Sequence, residues 1–263
     1  KMIHLVDESG SDSWAEVCEA LYLERRDDVS FYLDQSNRSA GPVLEIGCAT
    51  GRITEILSDF GKDVYAIDPS TSQLEIARAK VNALDNPGDV TFARSSLDKP
   101  DISSGKKYGL AIVPCYGFMS ITDPTEQQRF LHDVRRNLSP GGRLVIEMGI
   151  PDPGVMLGDP ATLYHYRDVN LKDESSVVLY SQRDYEDHTQ IGYVKAVAEF
   201  LDSTGLVTKK VVHDLEFRYT FRWEMHHLLR LCGFEVLSLY GDFDEGPFTE
   251  ESDKMVWVAG SRS

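Results

Sequence analysis

The sequence has no closely spaced cysteine pair and few positively charged residues, and both features restrict the possible functions of the protein. Its four cysteines are scattered, with no CxxC pair among them, which argues against a zinc site and against a disulfide framework. Lysine and arginine number 27 against 43 aspartates and glutamates, so the formal net charge is −16. A chain this acidic repels phosphate backbones and anionic membrane surfaces, which makes nucleic acid a poor candidate partner.

Long apolar runs are missing as well. No stretch approaches the roughly 18 residues that a membrane helix needs, and the N-terminus lacks a signal-peptide pattern. Together with the unpaired cysteines, these features predict a soluble protein of the reducing cytoplasm. The 263 residues, 41% of them hydrophobic, suffice for one α/β domain of ordinary size plus an insertion.

The most informative stretch covers residues 43–68. A short apolar run at 43–46 predicts a buried strand, the small residues at 47–51 predict a tight turn, and the apolar stripe at 53–60 predicts a helix. A second apolar run ends in Asp68, about 20 residues beyond the first glycine. Strand, glycine turn, helix, strand and acid in this order are typical of a unit that binds a nucleoside, whose ribose hydroxyls donate hydrogen bonds to the acid.

Glycine is lacking where a dinucleotide-binding turn needs it. Such turns have glycine at their first, third and sixth positions, whereas here Gly47 is followed by Ala49 and Arg52 at the third and sixth. A ligand with a ribose but no pyrophosphate therefore fits better, and a nicotinamide oxidoreductase is disfavoured.

The pattern E-x-G-C-x-T-G at 45–51, with the acid that ends the next strand, resembles the class I S-adenosylmethionine-dependent methyltransferases. Ala49 stands where the commoner family form has glycine. A second mark of the same class is L-x-P-G-G-x-L-V-I at 138–146, in which 139–142 are predicted to form a turn before a fifth strand. The resemblance implies an α/β fold, a Rossmann-like seven-stranded sheet with helices on both faces. It also implies S-adenosyl-L-methionine as the cofactor.

The resemblance places the cofactor at the carboxyl ends of the first four strands. The implied cofactor-binding residues are Glu45, Gly47, Cys48, Ala49 and Gly51 around the turn, Asp68, Pro69 and Gln73 after the second strand, Ser96 and Leu97 after the third, Pro114 and Cys115 after the fourth, and Tyr22 in an N-terminal lid. Ser96 replaces an acid that commonly contacts the adenine amino group, and its hydroxyl can act as a neutral acceptor. Asp98 is a possible substitute.

Two residues at strand ends are candidates to orient the nucleophile. Tyr116 follows the fourth strand, and Glu147 lies at the carboxyl end of the fifth. A hydroxyl or carboxylate there can accept a substrate N–H, while the alternatives are a core aromatic and a salt-bridged strand end. Because no single base stands at an expected place, an amine or another easily ionised nucleophile is favoured.

Substrate contact is predicted for four further side chains. Phe118 follows Tyr116, Tyr32 lies in the second lid helix, and Arg222 and Trp223 open the last helix. For Phe118 and Tyr32 the alternative is burial in the core, since tyrosine and phenylalanine are frequent core residues.

The pattern changes after Pro151. Four segments of period two, at 162–171, 175–185, 190–202 and 207–219, predict an antiparallel sheet laid over the carboxyl edge of the main one. The predicted organisation is therefore an N-terminal helical lid (1–40), a cofactor-binding core (41–150), an inserted substrate-cap sheet (151–219) and a completion of the core (220–263), the last with two more strands, the final one antiparallel. The inserted sheet suits a small-molecule pocket, or alternatively the interface of a homodimer.

The sequence thus predicts a methyltransferase that acts on an amine or hydroxyl of a small molecule, with neither nucleic acid nor membrane as partner and without a metal. Three alternatives stay open. One is attack on another carbon of the sulfonium, for instance ring closure from the aminobutyrate arm; the second is a nicotinamide oxidoreductase; the third is a non-catalytic cofactor-binding protein on the same fold.

Overall fold

The computed structural model describes residues 12–22, 25–102, 105–171 and 175–261. The helices in these ranges are α1 (Asp12–Tyr22), α2 (Val29–Asn37), α3 (Arg52–Asp59), α4 (Thr71–Asn82), α5 (Pro124–Asn137), α6 (Pro153–Met156) and α7 (Arg222–Leu231), with a 3-10 turn at Gly117–Ser120. The strands are β1 (Val43–Ile46), β2 (Val64–Asp68), β3 (Val90–Arg94), β4 (Tyr108–Val113), β5 (Leu138–Gly149), β6 (Tyr164–Asn170), β7 (Ser176–Glu186), β8 (Ile191–Leu201), β9 (Val207–Arg218), β10 (Phe234–Tyr240) and β11 (Lys254–Ser261).

The main sheet has the order β10-β11-β5-β4-β1-β2-β3 across the described residues. Strands β1 to β5 pair in parallel, and β11 runs antiparallel between β5 and β10. Every residue of β1 and β4 is buried, as expected for central strands covered on both faces. The predicted seven-stranded α/β fold, with its antiparallel last strand, is confirmed. In such sheets ligands bind at the carboxyl ends of the parallel strands.

Alternate residues of the strands feed two hydrophobic layers, one on each face of the sheet. On one face lie Phe130 of α5 and Met225 of α7. Ile53 of α3 and Leu74 of α4 cover the other face. The amphipathic stripes seen in the sequence are therefore the buried faces of these helices.

The predicted turn at 139–142 is wrong, because these residues belong to β5. Leu138 pairs with Tyr108, and the register then shifts before Arg143 pairs with Leu110. Gly141 has a φ of +73°, a backbone conformation that glycine adopts without steric cost. The glycines therefore allow an irregularity inside a long strand.

The second sheet contains β6, β7, β8 and β9 in that order, all antiparallel, as the period-two pattern predicts. Its buried residues, Val177 and Leu179 among them, join the same hydrophobic layer as Ile146 and Met148 of β5. The inserted sheet thus packs on the core.

The two lid helices pack on different parts of the molecule. Trp14 of α1 is fully buried and stacks on His213 of β9, with 4.6 Å between ring centroids. Phe31 of α2 contacts Phe243, which lies in the loop between β10 and β11. The division of the chain into four segments stays a prediction. Among the described helices, none combines the length and the apolar character needed to cross a membrane.

The α3–α4 contact depends on a glycine, which leads to a stability prediction. At Gly51, φ is +76°, and an added Cβ would lie 2.6 Å from the Cβ of Ala77. We expect Gly51→Ala to lower the free energy of unfolding by about 2–4 kcal/mol, because strain and overpacking add. Gly61→Ala is the matched control, since φ there is +74° but nothing lies within 4 Å; it should cost only about 1–2 kcal/mol. Urea unfolding without ligand measures both, and equal losses would contradict the proposed clash.

Candidate functional site

The turn after β1 is braced by one carboxylate. Asp68 accepts hydrogen bonds from the backbone N–H of Ala49 (2.8 Å, to Oδ2) and of Ser70 (2.9 Å, to Oδ1). The N–H of Gly47 donates to the carbonyl of Ile67 at 2.8 Å. The loops after β1 and β2 are therefore held together at the sheet edge.

The same turn contains three residues in the left-handed region: Gly47 at φ +80°, Ala49 at +48° and Gly51 at +76°. For Ala49 this conformation costs on the order of 1–2 kcal/mol, because its Cβ approaches the carbonyl. Backbone strain of this kind concentrates at ligand-binding turns. The Asp68 bond to the Ala49 N–H offsets part of that cost.

Glu45 lies beneath the turn and is buried at 1% exposure. The Thr54 hydroxyl contacts its Oε2 at 2.5 Å. Burial raises the pKa of Glu45 to about 8, although the Thr54 bond acts in the opposite direction. The protonated form therefore predominates at neutral pH, and Glu45 fastens the strand to α3.

A buried ion-pair network that sequence reasoning missed lies next to the turn. Arg52 binds Asp28 in a bidentate manner, with both N–O distances 2.6 Å. Glu147 accepts from Arg25 Nη2 at 2.7 Å and from the N–H of Cys115 at 2.7 Å. This network connects the link between α1 and α2 to α3, β4 and β5. Its sequence signal is weak, because isolated charged residues in loops are usually solvated.

One arginine unites the acidic members of this network. Arg25 also approaches Asp28 (3.4 Å) and Cys115 Sγ (3.5 Å), and Asp28, Cys115 and Glu147 place their donor atoms within 4.8 Å of one another. Because this guanidinium contacts all three groups, the cluster is best described as an ion-pair network.

The structure shows the surroundings of Glu147 and Tyr116, the two residues predicted to orient the nucleophile. Glu147 is fully buried with its oxygens bonded to Arg25 and Cys115, so the alternative prediction, a salt-bridged strand end, describes it. Tyr116 is 5% exposed and has a φ of +64°, next to Cys115 at +52°. Burial holds the pKa of Tyr116 well above its usual range, with Glu147 adding to the effect. Its hydroxyl therefore stays neutral and can donate or accept.

Tyr116 lines a cavity of about 690 Å³ between the main sheet edge and the inserted sheet. Both the core and the inserted segment contribute charged and aromatic groups to this cavity. The lining residues from the core are Asp27, Tyr116, Met119, Gly149, Ile150, Asp253 and Lys254; those from the inserted segment are Asp152, Val155, His165, Tyr166, Arg167, Arg183, Val194, Phe217 and Tyr219.

Four predicted substrate contacts are not brought to this cavity. Phe118 is fully buried against Phe130, with ring centroids 5.6 Å apart, and Tyr32 is fully buried beside Phe243. Phe118 lies in the 3-10 turn and Tyr32 in α2, and both pack into the core.

The other two, Arg222 and Trp223, lie on the outside of the molecule. Trp223 is 61% exposed, and the Arg222 guanidinium lies over its ring at 4.9 Å. The start of α7 therefore faces solvent. This position corrects the prediction that these two residues contact a substrate in the cavity.

Several predicted cofactor residues lie at the carboxyl edge, and their role stays a prediction. Gln73 is buried in the first turn of α4, its N–H bonded to Ser70 Oγ at 3.3 Å. Leu97 is buried, Ser96 is exposed, and Pro114 is buried at the end of β4.

The last two predicted cofactor residues, Pro69 and Tyr22, each contact an arginine. The carbonyl of Pro69 accepts from Arg94 Nε at 3.0 Å. Tyr22 is buried with its ring 5.9 Å from the Arg52 guanidinium, which places it beside the ion-pair network.

Comparison with known proteins agrees with this geometry. A family model described as a methyltransferase domain matches residues 43–142. An uncharacterized methyltransferase of Bacillus cytotoxicus is 33% identical over 112 residues, which is 43% of this chain and 49% of the relative. N-demethylindolmycin N-methyltransferase of Streptomyces griseus is 26% identical over 133 residues, 48% of this chain and 54% of the relative. The chain thus spans about half the length of these curated relatives.

Solved structures extend the likeness of fold to nearly the whole chain. The CcbJ methyltransferase from Streptomyces caelestis superposes with a TM-score of 0.79 at 23% identity, covering 98% of this chain and 100% of that one. DesVI from Streptomyces venezuelae gives a TM-score of 0.71 at 18% identity, covering 95% and 98%. The inserted sheet and the lid helices therefore belong to a fold that recurs in other proteins.

The buried Glu45 predicts a pH dependence of stability. Its folded-state pKa of about 8 exceeds the unfolded value of about 4.3, so unfolding releases a proton between these pH values. The free energy of unfolding should therefore fall as pH rises through this window, by at most about 1.4 kcal/mol per pH unit for one proton. Glu45→Gln should remove this component, as measured by urea unfolding across the window. Glu55→Gln, on partly exposed α3 surface, is the control, and identical profiles for Glu45→Gln and the wild type would contradict the assignment.

The ion-pair network predicts a contrast between two neighbouring aspartates. Asp28→Asn leaves the buried Arg52 charge without its bidentate partner, and we expect a loss of about 3–5 kcal/mol in the free energy of unfolding. Asp27 has a side chain 54% exposed, in ion pairs with Arg25 and Lys254, so Asp27→Asn should cost less than about 1 kcal/mol. Chemical unfolding compares the two. A similar loss for both would mean that Asp28 is not buried as described.

Proposed function

We propose, since a methyltransferase-domain family model matches residues 43–142, that the protein is an S-adenosyl-L-methionine-dependent methyltransferase acting on an amine of a small molecule. The observation that carries this proposal is the Asp68-braced turn at the carboxyl edge of the sheet, together with Tyr116, which follows β4 and lines a cavity. The cofactor would supply a methyl group activated by a positive sulfur, which leaves as a neutral thioether.

The residues at the sheet edge fit that cofactor. Asp68 ends β2 at the carboxyl edge, and a carboxylate is an acceptor that suits ribose hydroxyls. The turn at 47–51 presents small residues that let a ligand come close to the backbone. The amino-acid arm of the cofactor carries one positive and one negative group. The neighbouring ion-pair network contains positively charged arginines and negatively charged carboxylates. We place the arm beside Arg25, Asp28, Arg52 and Glu147.

The cavity supports a small molecule as the methyl acceptor. Its volume of about 690 Å³ falls within the roughly 300–1,000 Å³ of small-molecule sites. A net charge of −16 opposes nucleic acid as a substrate. The inserted sheet covers the sheet edge, so it limits the access of water and holds the acceptor in line. Alignment of this kind can account for roughly 7–11 kcal/mol of a barrier.

An amine suits the site better than a hydroxyl. Glu147 is engaged by Arg25 and Cys115, and the raised pKa of Tyr116 prevents it from acting as a base. An alcohol needs a base to become a good nucleophile, whereas an amine that has lost its proton needs only orientation. The Tyr116 hydroxyl can accept an amine N–H and so direct the lone pair.

The charge of the core wall agrees with an amine. Asp27 and Asp253 outnumber Lys254 among the charged groups there, and an excess of negative charge attracts an ammonium. The proton then leaves to solvent before transfer. The N-methyltransferase name of the Streptomyces griseus relative supports the same choice.

We further infer a cytoplasmic protein and a homodimer built through the inserted sheet. The support for the compartment is the set of free cysteines. The support for the dimer is that β6 is an edge strand, with the exposed Leu163 next to it, because sheet edges are ready-made pairing surfaces.

Calorimetric titration with S-adenosyl-L-methionine tests the cofactor assignment. Asp68→Ala removes an acceptor of charge-assisted hydrogen bonds worth about 1.5–3 kcal/mol, so affinity should fall about tenfold to a hundredfold. Asp63→Ala is the matched control, because Asp63 lies before β2 at the other edge and accepts only the Asp89 N–H among the contacts described for its side chain. It should leave affinity unchanged.

Three outcomes would redirect the proposal. No heat with millimolar S-adenosyl-L-methionine would contradict it, and binding of NADH would point to an oxidoreductase. If turnover yields methylthioadenosine in place of S-adenosylhomocysteine, the enzyme uses another carbon of the sulfonium. Product analysis by mass spectrometry distinguishes these reactions.

A further inference from the structure

The inner face of the inserted sheet is largely apolar and carries two arginines next to the cavity. Val177 and Leu179 of β7 and Val194 and Ala196 of β8 are buried on this face. Arg167 of β6 and Arg183 of β7 line the cavity alongside these strands. Arg167 is exposed and Arg183 is half-buried, so both side chains are accessible to a ligand.

A β-bulge turns Arg167 onto this face. His165 pairs with Tyr180, and the next pair along the strands is Arg167 with Leu179, so Tyr166 is an extra residue. Directly opposed residues of an antiparallel pair share a face, which puts Arg167 on the side of the buried Leu179. In a regular strand the alternation would have sent it outward. Bulges commonly re-aim a side chain next to a binding site.

Arg183 reaches the same face by regular alternation. It follows Val177, Leu179 and Ser181 at steps of two and pairs with Val194 of β8. Its Nε donates to Ser181 Oγ at 2.8 Å, and its guanidinium lies 5.6 Å from the ring centroid of Tyr164. These contacts hold the side chain in place while leaving both terminal nitrogens available to a ligand.

The arginines lack acidic partners in the protein. Across the described residues, no carboxylate lies within ion-pair distance of Arg167 or Arg183, and Arg167 has no side-chain hydrogen bond. Asp27, Asp152 and Asp253 also line the cavity. The cavity therefore contains both carboxylates and guanidinium groups.

We propose that the methyl acceptor carries an anionic group, a carboxylate or a phosphate, which Arg167 and Arg183 bind while the amine faces Tyr116. This inference rests on the proposed methyltransferase function and narrows its substrate class to amines that also bear an anion. The planar guanidinium fork matches both anions in a bidentate manner. The site gains specificity because the anion of the ligand pairs with the two arginines while the amine faces Tyr116.

Matched probes test this proposal by calorimetry, with and without S-adenosyl-L-methionine. The probes are ω-aminohexanoate, ω-aminohexyl phosphate and ω-aminohexanol, with shorter and longer homologues to cover the unknown spacing. The wild type should bind at least one anionic probe about tenfold or more tightly than the alcohol, as expected for charge-assisted hydrogen bonds. The preferred anion identifies the natural group as carboxylate or phosphate.

The variants are Arg167→Gln, Arg183→Gln and the double substitution. In each single variant the preference for the anion should shrink, and in the double variant it should vanish. Lys195→Gln is the matched control: it removes a positive charge from the outward face of the same sheet, where Lys195 pairs with Asp214 at 3.2 Å, and it should keep the preference. Thermal unfolding and binding of S-adenosyl-L-methionine confirm that every variant is folded.

The proposal is overturned if the alcohol binds as tightly as the anions, if no probe binds, or if the double variant keeps the preference. These results would leave the proposed function intact as long as S-adenosyl-L-methionine still binds. Absence of cofactor binding, with the anion preference retained, would instead overturn the methyltransferase proposal and leave an anion-binding cavity.

Discussion

The hydrogen bonds that Asp68 accepts from Ala49 and Ser70 are the interaction on which the site depends. They join the loops after β1 and β2 at the carboxyl edge and hold a turn with three left-handed residues. A buried carboxylate with partners this close is worth more than one in water, since the low local dielectric strengthens each bond. A single carboxylate therefore sets the shape of the turn.

The ion-pair network fastens the N-terminal helices to this turn. Buried ion pairs contribute little net stability, because desolvation offsets the attraction, yet breaking one pair is costly. Arg25, Asp28, Arg52 and Glu147 therefore act mainly to specify one arrangement of the α1–α2 link over α3 and β5. Because Glu147 is held in this network, it is not free to act as a base, whereas Tyr116 lines the cavity.

The inserted sheet determines what the cavity accepts. The apolar inner face of the sheet packs on the core and forms one wall of the cavity. The bulge in β6 and the alternation of β7 place two arginines in that wall. A chain with a formal charge of −16 thus places two arginines among the residues that line the cavity.

The sequence by itself determined the β1–turn–β2 unit, the order of strands and the inserted antiparallel sheet, because periodicity and glycine positions are properties of neighbouring residues. Tertiary structure decided the rest. Phe118 and Tyr32 have the same local pattern whether they face a core or a cavity, and only packing distinguishes the two. Arg25 and Glu147 are 122 residues apart, so no local pattern connects them. The direction of Arg167 depends on one extra residue in its strand, which becomes visible only when the register with β7 is known.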